Sequence, residues 1–433
     1  MMTRRLPPFA ATSLLWLALS SWAQVAPSVT IPSPSGYATQ GQCAGYPRIS
    51  LKTPDGWCAG LVADGRDGLR MPRRIMELAP DRFWITDMGN WEPKQGRLLE
   101  LRPAGQPGDP KRIRTLAKGL DRPHGLIKGP DGRIYVGEAG AIWRTPSGPV
   151  EREPVLSDLP ADGAHPLTEM VFAPQGKLYI SVGSATDACR AEGQEKASQP
   201  CPELADPLPR AAVYQAVFGG PDFKRQSFEP WSRGLRNSLG LAVTPDTISG
   251  TPRLWQAENS VDYADPEAPA EELNELTQGS NHGWPYCVTD KNGRNVAAEG
   301  YKQGAKRRVQ CPDPKAQAPF QAWPAHVAPL QLLAVPPAKP GEPAQPWSGK
   351  LLAVWHGYKP HGHRIVAWRL DPQGRPMGER EEIVSDWNAS PGLRPLGNPT
   401  GITVDSQGRL WVVEDRNGTV ILIAPEKSPP AAR

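Results

Sequence analysis

Apolar positions along this chain recur in a fixed pattern. An alternating stretch runs into a turn rich in Pro, Asp and Gly, and a second alternating stretch follows with aromatic residues in it. The unit reads Glu77-Leu78-Ala79-Pro80-Asp81-Arg82-Phe83-Trp84-Ile85 and Lys128-Gly129-Pro130-Asp131-Gly132-Arg133-Ile134-Tyr135-Val136. It returns as Phe172-Ala173-Pro174-Gln175-Gly176-Lys177-Leu178-Tyr179-Ile180, as Val243 to Asp246 with Arg253-Leu254-Trp255, and as Val404-Asp405-Ser406-Gln407-Gly408-Arg409-Leu410-Trp411-Val412. A looser copy spans Trp347 to Val354, which makes six. Glycine at the tip permits positive φ, proline sets the entry, and β-branched and aromatic flanks suit a pleat, so each unit predicts a hairpin. Further strands follow in several units, at Gly96–Leu101, Ala141–Arg144, Arg364–Arg369 and Thr419–Ile423. Helical periodicity is weak. Units of roughly forty-five to fifty residues with inserted loops predict an all-β fold, a six-bladed β-propeller.

The repeat locates a site before any chemistry is considered. The innermost strand of each blade lines the channel, so residues at its entry crowd one mouth. They are Arg73-Arg74, Arg122-Pro123-His124, Ala164-His165, Arg236-Asn237, His326 and Asn398. Such a ring of basic and amide side chains is costly to bury unless a ligand satisfies it.

Arg236 and Asn237 are suited to a carboxylate, since guanidinium presents a planar fork that keeps its charge. The carboxylates that follow, Glu258, Asp262, Asp265, Glu267, Glu271 and Glu272, are hard oxygen ligands of the kind Ca²⁺ takes. Singly, an Arg-Asn pair is usually a surface pair and an acidic run a solvated loop. The ordered series is the signal: Gly234-Leu235-Arg236-Asn237, Glu258-Asn259, Glu271-Glu272-Leu273-Asn274, Asn281-His282-Gly283-Trp284-Pro285-Tyr286-Cys287. It resembles the soluble quinoprotein sugar dehydrogenases, the glucose/sorbosone dehydrogenase family, from about Met71 to Pro425.

The resemblance implies a propeller that holds pyrroloquinoline quinone (PQQ) beside Ca²⁺ and oxidises a sugar or related alcohol hydroxyl by hydride transfer. The electrons then pass to a soluble or membrane acceptor. It places His165 as the general base, with His124 as the competitor. It places Arg236, Asn237, Asn259, Trp323, Lys359, Arg364 and Asn398 at the cofactor. The carbonyls of Ser260 and Val261 would face the Ca²⁺, and Glu272 with the backbone of His282 would form a second, structural calcium site. Three departures stand out. Asn398 sits where the family carries an arginine, with Arg394 a possible substitute; Ala164 replaces an acidic neighbour of the base, with Asp162 a possible stand-in; and His282 replaces a tyrosine. The histidines around His361-Gly362-His363 also suit a soft divalent metal.

Arg4-Arg5, the apolar run Leu14–Leu19 and Ser21-Trp22-Ala23 predict a secretory signal over residues 1–23 and a periplasmic or secreted protein. Residues 24–70 then form an N-terminal extension, 71–425 the propeller and 426–433 a disordered tail. In an oxidising compartment the six cysteines fall as near neighbours, Cys43 with Cys58, Cys189 with Cys201 and Cys287 with Cys311, although fifteen pairings are possible. The net charge of +4 becomes +2 without Arg4 and Arg5, which gives no electrostatic case for nucleic acid. No apolar stretch beyond the signal is long enough to span a membrane, since 51 Pro and 43 Gly interrupt the chain. Two other functions fit a six-bladed propeller: a calcium-dependent lactonase-like hydrolase, and a non-catalytic ligand-binding propeller that has lost the quinone. Substrate choice is expected to lie in the insertions at 184–210 and 286–320.

Overall fold

The computed structural model describes residues 36–103, 112–190, 194, 197–205, 207–298, 310–357, 359–387 and 397–426. The predicted signal, the tail after Glu426 and Arg394 lie outside the described residues. Six sheets form the blades, antiparallel except where Ser280–Asn281 joins the third, and each blade begins with one of the six repeats. The hairpins are Pro72–Ala79 with Arg82–Asp87, Leu126–Lys128 with Ile134–Glu138, and Met170–Ala173 with Lys177–Val182. The other three are Ser238–Thr244 with Arg253–Glu258, Pro329–Ala334 with Lys350–Trp355, and Pro399–Val404 with Leu410–Glu414. The first strand of every hairpin is an edge of its sheet, and these six edges touch in sequence around a closed ring. The six-bladed β-propeller read from the sequence is therefore the fold. Helix among the described residues is confined to short 3-10 pieces, such as Gly65–Asp67 and Pro202–Leu204.

Alternation along the strands buries both sheet faces, because each blade packs on two neighbours. Six apolar clusters fill the six seams. Trp84, Leu98, Ile134 and Trp143 lie between blades 1 and 2, for example, and Trp255, Leu273, Leu351 and Trp368 between blades 4 and 5. This is how a chain too long for one core stays compact: the core is divided into wedges. Thr39–Cys43, Tyr46–Ile49 and Trp57–Ala63, set apart from the propeller in the sequence reading, extend the sheet of the last blade. Trp57–Ala63 pairs with Thr419–Pro425, so the two ends of the described chain meet in blade 6. All three neighbouring cysteine pairs are disulfides: Cys43–Cys58, Cys189–Cys201 and Cys287–Cys311. No helix among the described residues is long and apolar enough to cross a membrane.

Candidate active site

At one mouth of the channel a cavity of about 690 Å³ is walled by His165 from the entry to blade 3, by Arg236, Asn237, Asn259, Ser260 and Glu271 from blade 4, and by His326 and Lys359 from blade 5. Blade 1 adds Arg73 and Trp91, and blade 6 adds Asp415 and Arg416. The volume is that of an ordinary small-molecule site.

His165 is fixed by its backbone and by one ring nitrogen. Ala164 N–H donates to Ala185 O at 2.8 Å. Gly183 lies so close that a Cβ there would stand 2.5 Å from the His165 carbonyl oxygen and 2.6 Å from its Cβ, which is why the position is glycine. Nδ1 lies 3.0 Å from Ser184 O and 2.9 Å from Ser184 Oγ, and that hydroxyl donates its own proton to Thr186 O at 2.6 Å. Both neighbours of Nδ1 are thus acceptors, so Nδ1 carries the hydrogen and Nε2 carries the lone pair. Burial first, and then the charge of Arg236, lowers the imidazole pKa to about 4, so the ring is neutral across the physiological range. The partner expected from sequence does not reach it: Asp162 is 79% exposed and paired with Arg210 at the surface.

Arg236 is held from several sides. Nη1–H donates to Asn259 O at 2.9 Å and Nε–H to Asp187 O at 3.1 Å, while Nη2 pairs with Asp262 and with Asp187, each at 2.8 Å. The Asn281–Tyr286 motif braces this segment. Ser280–Asn281 runs parallel to the end of Lys224–Arg233, Trp284 N–H donates to Gly234 O, and the Trp284 indole donates to the same Asp187 carbonyl that Arg236 uses. Gly234, at φ 73°, has no room for a Cβ, which would stand 2.5 Å from Gly283 N. The two motifs that travel together in the sequence are therefore one packed unit. Asn259 donates its amide to Pro329 O at 2.8 Å and Asn237 O at 3.2 Å, tying blade 4 to blade 5.

The acidic run divides. Asp262 is exposed at the rim, whereas Glu258, Glu271 and Glu272 are buried in blade 4. Glu258 and Glu272 are direct cross-strand partners. Burial, and for Glu258 also the facing Glu272, raises both carboxyls above their ordinary range. Asn274 donates to Glu272 at 2.9 Å, and Asn274 Oδ1 and His282 Nδ1 are buried without partners. Two facing buried carboxyls beside an orphaned amide oxygen form a donor set that suits a hard divalent cation. Burial likewise lifts Glu271 to about 8, and its carboxyl accepts the Ser260 N–H. The Val261 side chain is buried among apolar neighbours, and its carbonyl accepts from Tyr263 N–H at 3.1 Å. Among the described residues, the one convergence of three His, Cys, Asp or Glu ligand atoms is Cys189, Cys201 and Glu203, and its cysteines are spent in a disulfide.

Four expectations are corrected. Trp323 is packed away from the cavity in the seam between blades 4 and 5, stacked on Trp368 with ring centroids 5.2 Å apart. Arg364 points outward along its strand to Glu382. Asn398 is fully buried and donates to His356 O at 2.6 Å, so it shapes the wall without lining it. His124, the competitor for the base, is sealed inside the channel, where burial first and then the charge of Arg74 bring its pKa to about 3. The soft-metal alternative is also unsupported, since buried His363 donates Nδ1–H to Gly397 O while His361 is exposed.

The sequence reading missed Trp91, Asp187, His356, Asp415 and Arg416. His356 Nε2 lies 3.0 Å from Asp415, whose other oxygen takes Arg73 at 2.6 Å. Arg416 brings to the cavity the blade-6 guanidinium that Asn398 lacks. The signal was available in Asp415-Arg416, which directly follows the second strand of the last repeat, Leu410–Glu414, at the channel mouth.

Comparison with known proteins agrees with this architecture. Residues 219–426 match the family model described as TrAA12-like. A calcium structure of the Trichoderma reesei Carbohydrate-Active Enzymes Family AA12 superposes at TM-score 0.65 with 20% identity, covering 89% of this chain and 98% of that one. The holo form of the pyranose dehydrogenase PQQ domain from Coprinopsis cinerea superposes at 0.63 with 18% identity, covering 88% and 99%. The soluble aldose sugar dehydrogenase of Escherichia coli, in the apo form, superposes at 0.56 with 17% identity, covering 85% and 99%. No curated protein matches the sequence. The resemblance seen in the motifs is therefore matched by a likeness to the TrAA12-like family over residues 219–426.

Proposed function

We propose that this chain is an exported PQQ- and Ca²⁺-dependent dehydrogenase that oxidises a sugar or related alcohol hydroxyl. The observation that carries the reading is His165, set by Ser184 as a neutral base with its lone pair on Nε2, in the same cavity as Arg236 and Asn237. Bound there, the quinone would supply a two-electron acceptor for hydride from the carbinol carbon. His165 Nε2 would take the hydroxyl proton as the carbonyl forms, and a neutral imidazole suits that task. Arg236 would bind a carboxylate of the cofactor and Asn237 would orient it, with Lys359 and Arg416 adding positive charge. The carbonyls of Ser260 and Val261 would face one Ca²⁺, and Glu272, with the backbone of His282 and with the facing Glu258, would hold a second. The structures of the pyranose dehydrogenase PQQ domain and the AA12 calcium form support the cofactor pair by likeness of fold.

A lactonase-like hydrolase would need a central metal held by carboxylates from several blades. Here Asp415 is committed to Arg73 and His356. The test is reconstitution of the purified chain with PQQ and Ca²⁺ and measurement of dye reduction across a panel of aldoses. Reduction with one or more of them is the expected result. PQQ uptake without turnover would support the binding propeller, and no uptake would end the reading.

A further inference from the structure

We propose that Trp91 is the platform on which the flat face of the substrate stacks, a specificity-determining contact from blade 1; this rests on the dehydrogenase reading above. Seven of the chain's tryptophans are among its largest fully buried side chains, but Trp91 is 54% exposed while lining the cavity. An indole half in water at a pocket wall presents an apolar face with a polar edge to whatever enters the cavity. The exposure does not come from a slack loop. The Asp87 carboxylate, paired with Arg97 at 2.7 Å, accepts the N–H groups of Met71 at 3.0 Å and Gly89 at 2.9 Å. Asn90 Oδ1 accepts Glu92 N–H at 2.8 Å, and Gly89, at φ 75°, lies so close to the returning chain that a Cβ would stand 2.5 Å from Gln95 O. Met88 anchors the loop underneath, buried with Leu167, Leu239 and Leu330.

The cavity is consequently two-sided. Charged and amide groups come mainly from blades 3 to 6, with Arg236, Asn237 and Glu271 on blade 4, while blade 1, diametrically across the ring from blade 4, supplies Trp91 beside Met71, its Arg73 being turned to Asp415. The polar side matches an anionic cofactor. The indole matches a ligand with a flat C–H face and a hydroxylated edge. A pyranose offers such a face ready-made, whereas an open-chain polyol must freeze several rotors to present one.

The test compares Trp91→Ala and Trp91→Phe in the full chain, using an aldohexopyranose, an open-chain polyol of equal carbon number, and an absorbance titration with PQQ alone. The proposal expects Trp91→Ala to raise KM for the pyranose roughly tenfold more than for the polyol, with Trp91→Phe restoring most of the difference. PQQ affinity should be the same in both variants as in the parent. Equal KM changes for the two substrates, or no change, overturn the proposal. A loss of PQQ affinity also overturns it, by assigning Trp91 to the cofactor. If the parent takes up no PQQ, the dehydrogenase reading fails separately. Calorimetric titration with a methyl pyranoside then decides the platform: weaker binding by Trp91→Ala supports it, and equal binding overturns it.

Discussion

Two arginines near the channel axis have opposite surroundings. Arg74 is buried and satisfied by groups that cannot leave: the Glu169 carboxylate and the carbonyls of Arg73, Thr400, Leu239 and Leu330, which span blades 1, 3, 4, 5 and 6. Arg236 is just as buried, yet its charge partners are Asp262, 79% exposed, and Asp187, 41% exposed. Water or a cation can solvate those two carboxylates once another anion takes the guanidinium. The same side chain is thus a rivet in one place and, under the proposed function, an exchangeable clamp in the other, and the exposure of the partners makes the difference.

Removing each arginine should separate the roles. Arg74→Ala strands the buried Glu169 and four carbonyls, and should cost about 3–5 kcal/mol of stability, read as a large fall in thermal midpoint. Arg236→Ala frees carboxylates that face water, so its midpoint should stay close to the parent's. Equal losses would show that Arg236 is also a rivet.

His165→Ala should lower turnover by roughly 10²–10⁴-fold, with PQQ affinity retained. Parental rates from this variant would remove His165 from the chemistry and make His356, backed by Asp415, the group to test next. Gly183→Ala should give a smaller loss of turnover, because its methyl would meet the His165 backbone at 2.5 Å and displace the ring from Ser184. A steady-state rate unchanged in Gly183→Ala would contradict that support.

The smallest effect concerns pH. The folded pKa of His165, about 4, lies below the ordinary 6.5, so between those values the unfolded chain binds a proton that the native state refuses. The histidine's contribution to stability is therefore complete above about pH 6.5 and is lost as pH falls toward 4. An NMR titration should find the ring neutral down to about pH 4, and a midpoint near 6.5 would refute the assignment.

The blades were legible because each hairpin carries its own turn chemistry, as in Gly129-Pro130-Asp131-Gly132 and Asp405-Ser406-Gln407-Gly408. Arg236, Asn237 and His165 were legible because strand entry puts them at the channel mouth. Trp323 was misplaced because strand pairing with Glu271 sets it against Trp368, a partner far along the chain that no local pattern reveals. Trp91 and Asp187 went unseen for a related reason. They sit in loops, and which loop bends over the cavity is decided by tertiary packing, with Met88 anchoring one and Trp284 the other.

The central claim is that Arg236 is an exchangeable clamp for an anionic quinone beside a divalent cation. Equilibrium absorbance titration of the full chain with PQQ at saturating Ca²⁺, repeated on Arg236→Ala, tests it most directly. The account predicts saturable uptake by the parent and a weakening of about 2–5 kcal/mol in the variant, the cost of losing one partner of a desolvated charge pair. Identical affinities in the two proteins, or no uptake by the parent, would contradict it.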